Sequence, residues 1–258
     1  MNELFLLDNA KISFGSKEII HGVSFAVNAG ELSGLLGLNG SGKTTILHGA
    51  CGFIPMAGNL YAAGQSCKGL NERKRAKLIS FIPQICSLWG GKTAFEAVMM
   101  GFNSQLGILE SPSKKQREAA LDTMEKLGCA HFAEQDFDKL SQGQRQMVIL
   151  ARCIVQDAPV MLMDEPDSAL DFSNKHIVLE KIRNIIQAEK KAGVITLHDP
   201  NFAMAYCDRL ILLKAGVKTA ELDMRTASSE EIREKLSLIY GDIKLYSNGA
   251  GYLLGRAS

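Results

Sequence analysis

Gly37-Leu38-Asn39-Gly40-Ser41-Gly42-Lys43-Thr44 narrows the folds open to this chain more than any other stretch. It fits G-x-x-x-x-G-K-[ST] and lies between a short apolar strand, residues 31–37, and apolar residues at helical spacing, Ile46, Leu47 and Ala50. A strand, a glycine-rich loop and a helix in that order make a cradle for phosphate. Glycines let backbone N–H groups turn inward, and the helix N-terminus favours negative charge. Lys43 then reaches the outer phosphates and Thr44 is placed to hold Mg²⁺.

The rest of the chain reads as an α/β fold around that unit. Residues 4–30 have the pattern of short strands with turns, which predicts an N-terminal antiparallel β region. A second apolar strand, residues 160–163, ends in two carboxylates, and a third, residues 194–197, ends in His198. Short apolar strands alternating with helical segments predict a mainly parallel sheet with helices on its faces. Residues 88–155 change character: Leu121, Met124 and Leu127 mark one helix that Gly128 ends, so the stretch reads as an inserted helical subdomain. Ser228 and Glu231 form a capping box for a C-terminal helix starting near residue 229, and the tail resembles a hairpin turning at Asn248-Gly249. The expected organisation is one domain over 1–258, with its core in 1–87 and 156–225, the helical part in 88–155, and the C-terminal helix and hairpin in 226–258.

Two further clusters carry chemistry. Asp164 and Glu165 leave the C-terminal end of a strand, where open parallel sheets collect ligands; Asp164 suits a Mg²⁺ shell and Glu165 suits polarising an attacking water. Leu140-Ser141-Gln142-Gly143-Gln144 opens a helix whose apolar face includes Met147, Leu150 and Ile154. By itself that is a capped helix start, and a capped N-terminus with exposed N–H groups is also an anion site.

Here a specific resemblance enters. LSQGQ is similar to the signature that separates ABC ATPases from other phosphate-loop enzymes, and further elements follow in the order of an ABC cassette over residues 4–215. Phe14 stands where these proteins stack an aromatic ring on adenine, Gln84 resembles the Q-loop glutamine, Ser168-Ala169-Leu170-Asp171 the D-loop, and His198 the switch histidine. The resemblance implies an ATPase binding ATP and Mg²⁺. ATP would lie on Phe14, Gly37, Asn39, Gly40, Ser41, Gly42, Lys43, Thr44 and Thr45; the metal shell would comprise Thr44, Gln84 and Asp164, and the catalytic set Glu165, His198 and Gln84. It implies a homodimer in which the second copy presents Ser141, Gln142, Gly143, Gln144 and Asp171 across the interface. It also implies a separate membrane permease, indirect work with a substrate-binding protein, and a cytoplasmic chain peripheral on the inner face of the membrane.

Two positions depart from the family pattern. Gln142 replaces a usual glycine, which would strain a glycine-only backbone there, and Asp167 follows Pro166 where transport cassettes commonly carry Thr. Residues 93–139, with Thr93-Ala94-Phe95-Glu96-Ala97-Val98-Met99-Met100-Gly101 and Leu106-Gly107, resemble cassettes serving metal-chelate importers of siderophore, haem, cobalamin or molybdate. So do Asp171-Phe172-Ser173-Asn174 and His198-Asp199-Pro200-Asn201. Such permeases dock a short cytoplasmic helix after the glutamine, where Leu88 and Trp89 offer apolar anchoring.

Composition sets the outer bounds. With 258 residues, 46% hydrophobic and 22% charged, the chain has ordinary globular character and length for a substantial core. A formal net charge of +1 gives no electrostatic footprint for nucleic acid. The six cysteines contain no C-x-x-C pair, which points to reduced thiols rather than zinc or disulfides. No export signal and no membrane-spanning run is visible. A soluble ABC ATPase of iron–sulfur assembly stays open as the alternative. A DNA-repair or chromosome-organising ATPase does not fit, since Lys43 and Asp164 lie too close in sequence for a long coiled coil between them. Glu165 argues against a nucleotide-binding regulator without turnover.

Overall fold

The computed structural model describes residues 3–84, 90–107, 110–168, 170–247 and 251–256. Cys86, Leu88, Trp89, Ala169 and the Asn248-Gly249 turn lie outside the described residues. The first strands, β1 (Glu3–Phe14) and β2 (Lys17–Asn28), are long and paired antiparallel. The expectation of several short strands in 4–30 is thereby corrected. β1 runs on through Asn9, whose left-handed φ of 49° accompanies a register shift between Leu7 and Ala10. An irregularity of this kind breaks the alternating pattern without ending the strand.

β3 (Glu31–Leu36) leads to α1 (Lys43–Cys51), then β4 (Ala57–Ala62), β5 (Gln65–Ser66), α2 (Glu72–Ala76) and β6 (Ile79–Ile82). The helical stretch holds α3 (Ala94–Met99), α4 (Lys114–Lys126) and α5 (Gln142–Gln156). Next come β7 (Val160–Asp164), α6 (Phe172–Ala188), β8 (Ala192–Thr196), α7 (Pro200–Tyr206), β9 (Arg209–Lys214) and β10 (Val217–Asp223). The chain closes with α8 (Ser229–Tyr240) and the antiparallel pair β11 (Ile243–Ser247) and β12 (Tyr252–Arg256).

Two main sheets organise these elements. One is antiparallel, in the order β2-β1-β4-β5; the other runs β10-β9-β3-β8-β7-β6 and is parallel except for the β10–β9 pair. Strands buried on both faces read as unbroken apolar runs, and their residues alternate between two cores. Leu35, Val160, Leu162, Val194, Ile211 and Leu213 face α1 and the antiparallel sheet. Leu32, Leu36, Met161, Met163, Ile195, Leu210 and Leu212 face the core shared with α3 to α8.

Local chemistry fixes the helix ends. Thr93 and Ser113 start α3 and α4 with reciprocal capping boxes, using Glu96 and Gln116. In α4 the buried stripe is Ala120 and Met124, continued by the C-cap Leu127, while Leu121, about 100° further round a helix, is 46% exposed. Leu121 therefore does not share the core face assigned from sequence. Ser228 accepts the Glu231 N–H at 3.2 Å, whereas the Glu231 carboxylate pairs with Lys235 at 2.6 Å.

Candidate active site

Four adjacent parallel strands deliver the site at their C-terminal ends. In sheet order, β3 leads to the glycine-rich loop, β8 to His198, β7 to Asp164 and Glu165, and β6 to Gln84. Residues scattered from 37 to 198 thus meet along one sheet edge, the place where such sheets bind ligands.

The loop is shaped by close contact. At Gly37 a Cβ would stand 2.4 Å from both the Leu213 carbonyl oxygen and Ser41 Oγ; at Gly42, with φ +102°, it would meet Ile20 Cδ1 at 2.4 Å. Larger residues would displace the cradle at either point. α1 begins at Lys43, so its free N–H groups and positive dipole end open onto the cleft. Lys43 is buried, and its Nζ donates to the Gly37 carbonyl at 2.8 Å. Burial pulls its ammonium below the ordinary lysine value, against the opposing pull of the Glu165 and Asp164 carboxylates. Ser41 Oγ is buried and has no hydrogen-bond partner among the described residues. A desolvated cation and an orphaned hydroxyl at a helix N-terminus fit a phosphate.

Phe14, Asn39, Gly40, Ser41, Gly42, Lys43, Thr44, Thr45, Gln84, Glu165 and His198 all line one cleft of about 570 Å³. Ile19 lines it as well and had no motif to announce it. Phe14 is 55% exposed, an open aromatic face at the cleft mouth. Asp164 lies behind, its Oδ1 accepting the Thr44 hydroxyl at 3.1 Å and the Thr196 hydroxyl at 2.7 Å. This hard oxygen donor set fits Mg²⁺. Glu165 is buried, and its Oε2 accepts the Gln84 amide at 2.5 Å and stands 2.7 Å from His198 Nε2.

Ser141, Gln142, Gly143, Gln144 and Asp171 do not line this cleft. Gly143 and Asp171 instead share a neighbour: a Cβ at Gly143 would lie 3.7 Å from Leu170 and 3.9 Å from Asn174, whose N–H is capped by Asp171. Ser141 and Gln144 form a complete capping box at the start of α5. Gln142 is the first residue of that helix and is absent from the positive-φ residues, so it carries no strain. Asp167 is buried and pairs with Lys175 at 3.4 Å.

A glycine-cradled helix N-terminus with a lysine, a hydroxyl, and carboxylates from the neighbouring strand defines a phosphate-loop nucleotide hydrolase. The family model described as ABC transporter matches residues 20–168. The chain is 34% identical over 244 residues to the phosphonates import ATP-binding protein PhnC of Caulobacter vibrioides, covering 90% of this chain and 91% of that one. It is 34% identical over 213 residues to the hemin import ATP-binding protein HmuV of Vibrio parahaemolyticus, covering 81% and 80%. A solved metal-chelate type ABC transporter in an inward-facing conformation superposes with a TM-score of 0.81 at 24% identity, over 98% of this chain and 96% of that one. The chain belongs to the ABC transporter family and is an ATPase of that family.

Proposed function

We propose that this chain is the ATP-hydrolysing subunit of an importer for a metal chelate such as iron-siderophore, haem, cobalamin or molybdate, working through a separate membrane permease. The observation that carries the ATP-hydrolysing role is the delivery of loop, His198, carboxylates and Gln84 from four neighbouring strand ends. Among the described residues no helix is long and apolar enough to cross a membrane.

In this reading Phe14 and Ile19 hold the adenine end of ATP, and Ser41, Lys43, Thr44 and Thr45 hold its phosphates against the start of α1. Glu165 orients the attacking water and draws its proton, while Gln84 and His198, both at Glu165 Oε2, fix that carboxylate and follow the γ-phosphate. Mg²⁺ held by Thr44, Asp164 and Gln84 would neutralise charge on the phosphate oxygens. Little covalent work falls to the protein; rate comes from positioning and charge stabilisation.

A second copy completes the site. The N-terminus of α5, capped by the exposed Ser141, lies near Asn174, which Asp171 caps, and none of these residues lines the chain's own cleft, which supports presentation of Ser141, Gln142, Gly143, Gln144 and Asp171 to a partner's ATP. The permease has a seat next to Gln84. A groove of about 500 Å³, lined among others by Phe53, Phe81, Pro83, Arg75 and Arg152, suits a short amphipathic helix. The chain would then lie at the inner face of the membrane, reached only indirectly by a substrate-binding protein.

The metal-chelate cargo rests on the resemblance of residues 93–139 and on the similarity to a hemin import subunit. Similarity to a phosphonate import subunit over nearly the whole chain favours a second reading, import of a phosphonate. Uptake of chelated iron, cobalamin, molybdate and phosphonate in a strain lacking the gene separates the two. Loss of one of the first three supports the proposal, and loss of phosphonate uptake alone replaces it with the second reading.

A further inference from the structure

The left-handed backbone of Glu165, φ 46°, is unusual for a residue with a side chain and calls for something to hold it. It comes directly after Asp164, the last residue of β7, so the Glu165 N–H has left the strand ladder. Its partner is the hydroxyl of Thr196, which accepts it at 2.8 Å. The same hydroxyl donates its proton to Asp164 Oδ1 at 2.7 Å. The parallel register of β7 and β8 sets Thr196 directly beside Asp164, and Thr196 is fully buried.

We propose that Thr196 is a positioning residue of the hydrolysis site, its one hydroxyl locking the carboxylate that would hold Mg²⁺ and the backbone turn that aims the Glu165 carboxylate. The inference rests on the roles given to Asp164 and Glu165 above. With the N–H held, the turn at Glu165 directs its side chain to Gln84 and His198. With Asp164 Oδ1 accepting from Thr196 on one side and Thr44 on the other, the carboxylate has its rotation fixed by two donors. Pre-set geometry of this kind is what a positioning-dominated reaction needs, since a small misplacement lowers the rate steeply. Valine has nearly the same shape as threonine, yet it would leave the buried Glu165 N–H unpaired and remove one of the two donors to Asp164.

The test measures turnover of the purified chain as a function of ATP and of Mg²⁺ for wild type, Thr196→Val, Thr196→Ala, Thr196→Ser and Glu165→Gln, with melting temperatures alongside. For Val and Ala the expected result is a kcat lowered roughly tenfold or more and a raised Mg²⁺ half-saturation, with ATP binding in the absence of Mg²⁺ within about twofold of wild type. Ser, which keeps the hydroxyl, should recover most of kcat. A residue that only supports the strand would lower the melting temperature and leave kcat and the Mg²⁺ response in place. If Val fails to fold, the Ala and Ser pair makes the same comparison. Equal kcat and Mg²⁺ response for Ala and Ser, with Glu165→Gln inactive, overturns the role of Thr196 alone. An active Glu165→Gln overturns the reading of the site on which it rests.

Discussion

His198 Nε2 stands 2.7 Å from Glu165 Oε2, although the two side chains leave adjacent strands and lie far apart in sequence. Glu165 is buried and His198 half exposed, so one partner is fixed in the protein and the other meets the cleft. Gln84 reaches the same oxygen from the third strand. A single carboxylate oxygen therefore gathers side chains that follow the ends of β6, β7 and β8.

Replacing that carboxylate by an amide tests the centre of the arrangement. Glu165→Gln keeps the shape of the side chain and removes the proposed base, so phosphate release should fall by roughly 10²–10⁴-fold. ATP binding should persist, because the loop and Lys43 are untouched, and the ATP-bound dimer should accumulate in size-exclusion chromatography. Near-normal phosphate release would remove Glu165 from the catalytic role.

The proposed sharing of the site between two copies gives a complementation test. A Lys43→Ala chain and a Ser141→Arg chain each damage both sites of their own homodimer, but a mixed dimer holds one site with neither change. Mixing the two should restore an ATP-stabilised dimer that neither forms alone. Absence of that species, when wild type forms it readily, would disprove the trans arrangement.

The phosphate loop and the parallel sheet were legible because their signals are local: glycine, lysine and threonine spacing, and apolar runs ending in Asp164 or His198. What stayed hidden depends on partners distant in the chain. Thr196 carries no motif, and its place follows from the register that pairs it with Asp164. Ile19 is one of several apolar residues in β2 and lines the cleft only because of how the antiparallel sheet packs on α1. The left-handed turn at Asn9 hid the length of β1, and Leu121 fitted a helical period while falling off its buried stripe.

Gln142 shows the limit of reasoning from a departure alone. A glycine expected at that position suggested strain, yet the residue opens α5 with ordinary helical backbone. Gln142→Gly should therefore bring no relief. It should instead cost up to about 1 kcal/mol, the usual penalty of glycine in a helix, and lower the melting temperature slightly. A rise in melting temperature on this change would mean that the backbone at 142 is strained after all.

The groove beside Gln84 yields the last prediction. Phe53 is 62% exposed, and its ring meets His48 and Phe81 edge to face, with centroids 5.7 and 5.4 Å away. An aromatic ring braced by two others yet open to solvent suits anchoring a partner helix more than filling this chain's own core. Phe53→Asp puts a charge into that seat without touching the cleft proposed for ATP, which Phe53 does not line. Basal hydrolysis by the isolated chain should stay within about twofold of wild type, while affinity for the permease should fall by roughly thirtyfold or more, the effect of losing an interface hot spot. Copurification with the permease and uptake by reconstituted vesicles would both fail. A Phe53→Asp chain that assembles and transports normally would exclude the groove as the docking site.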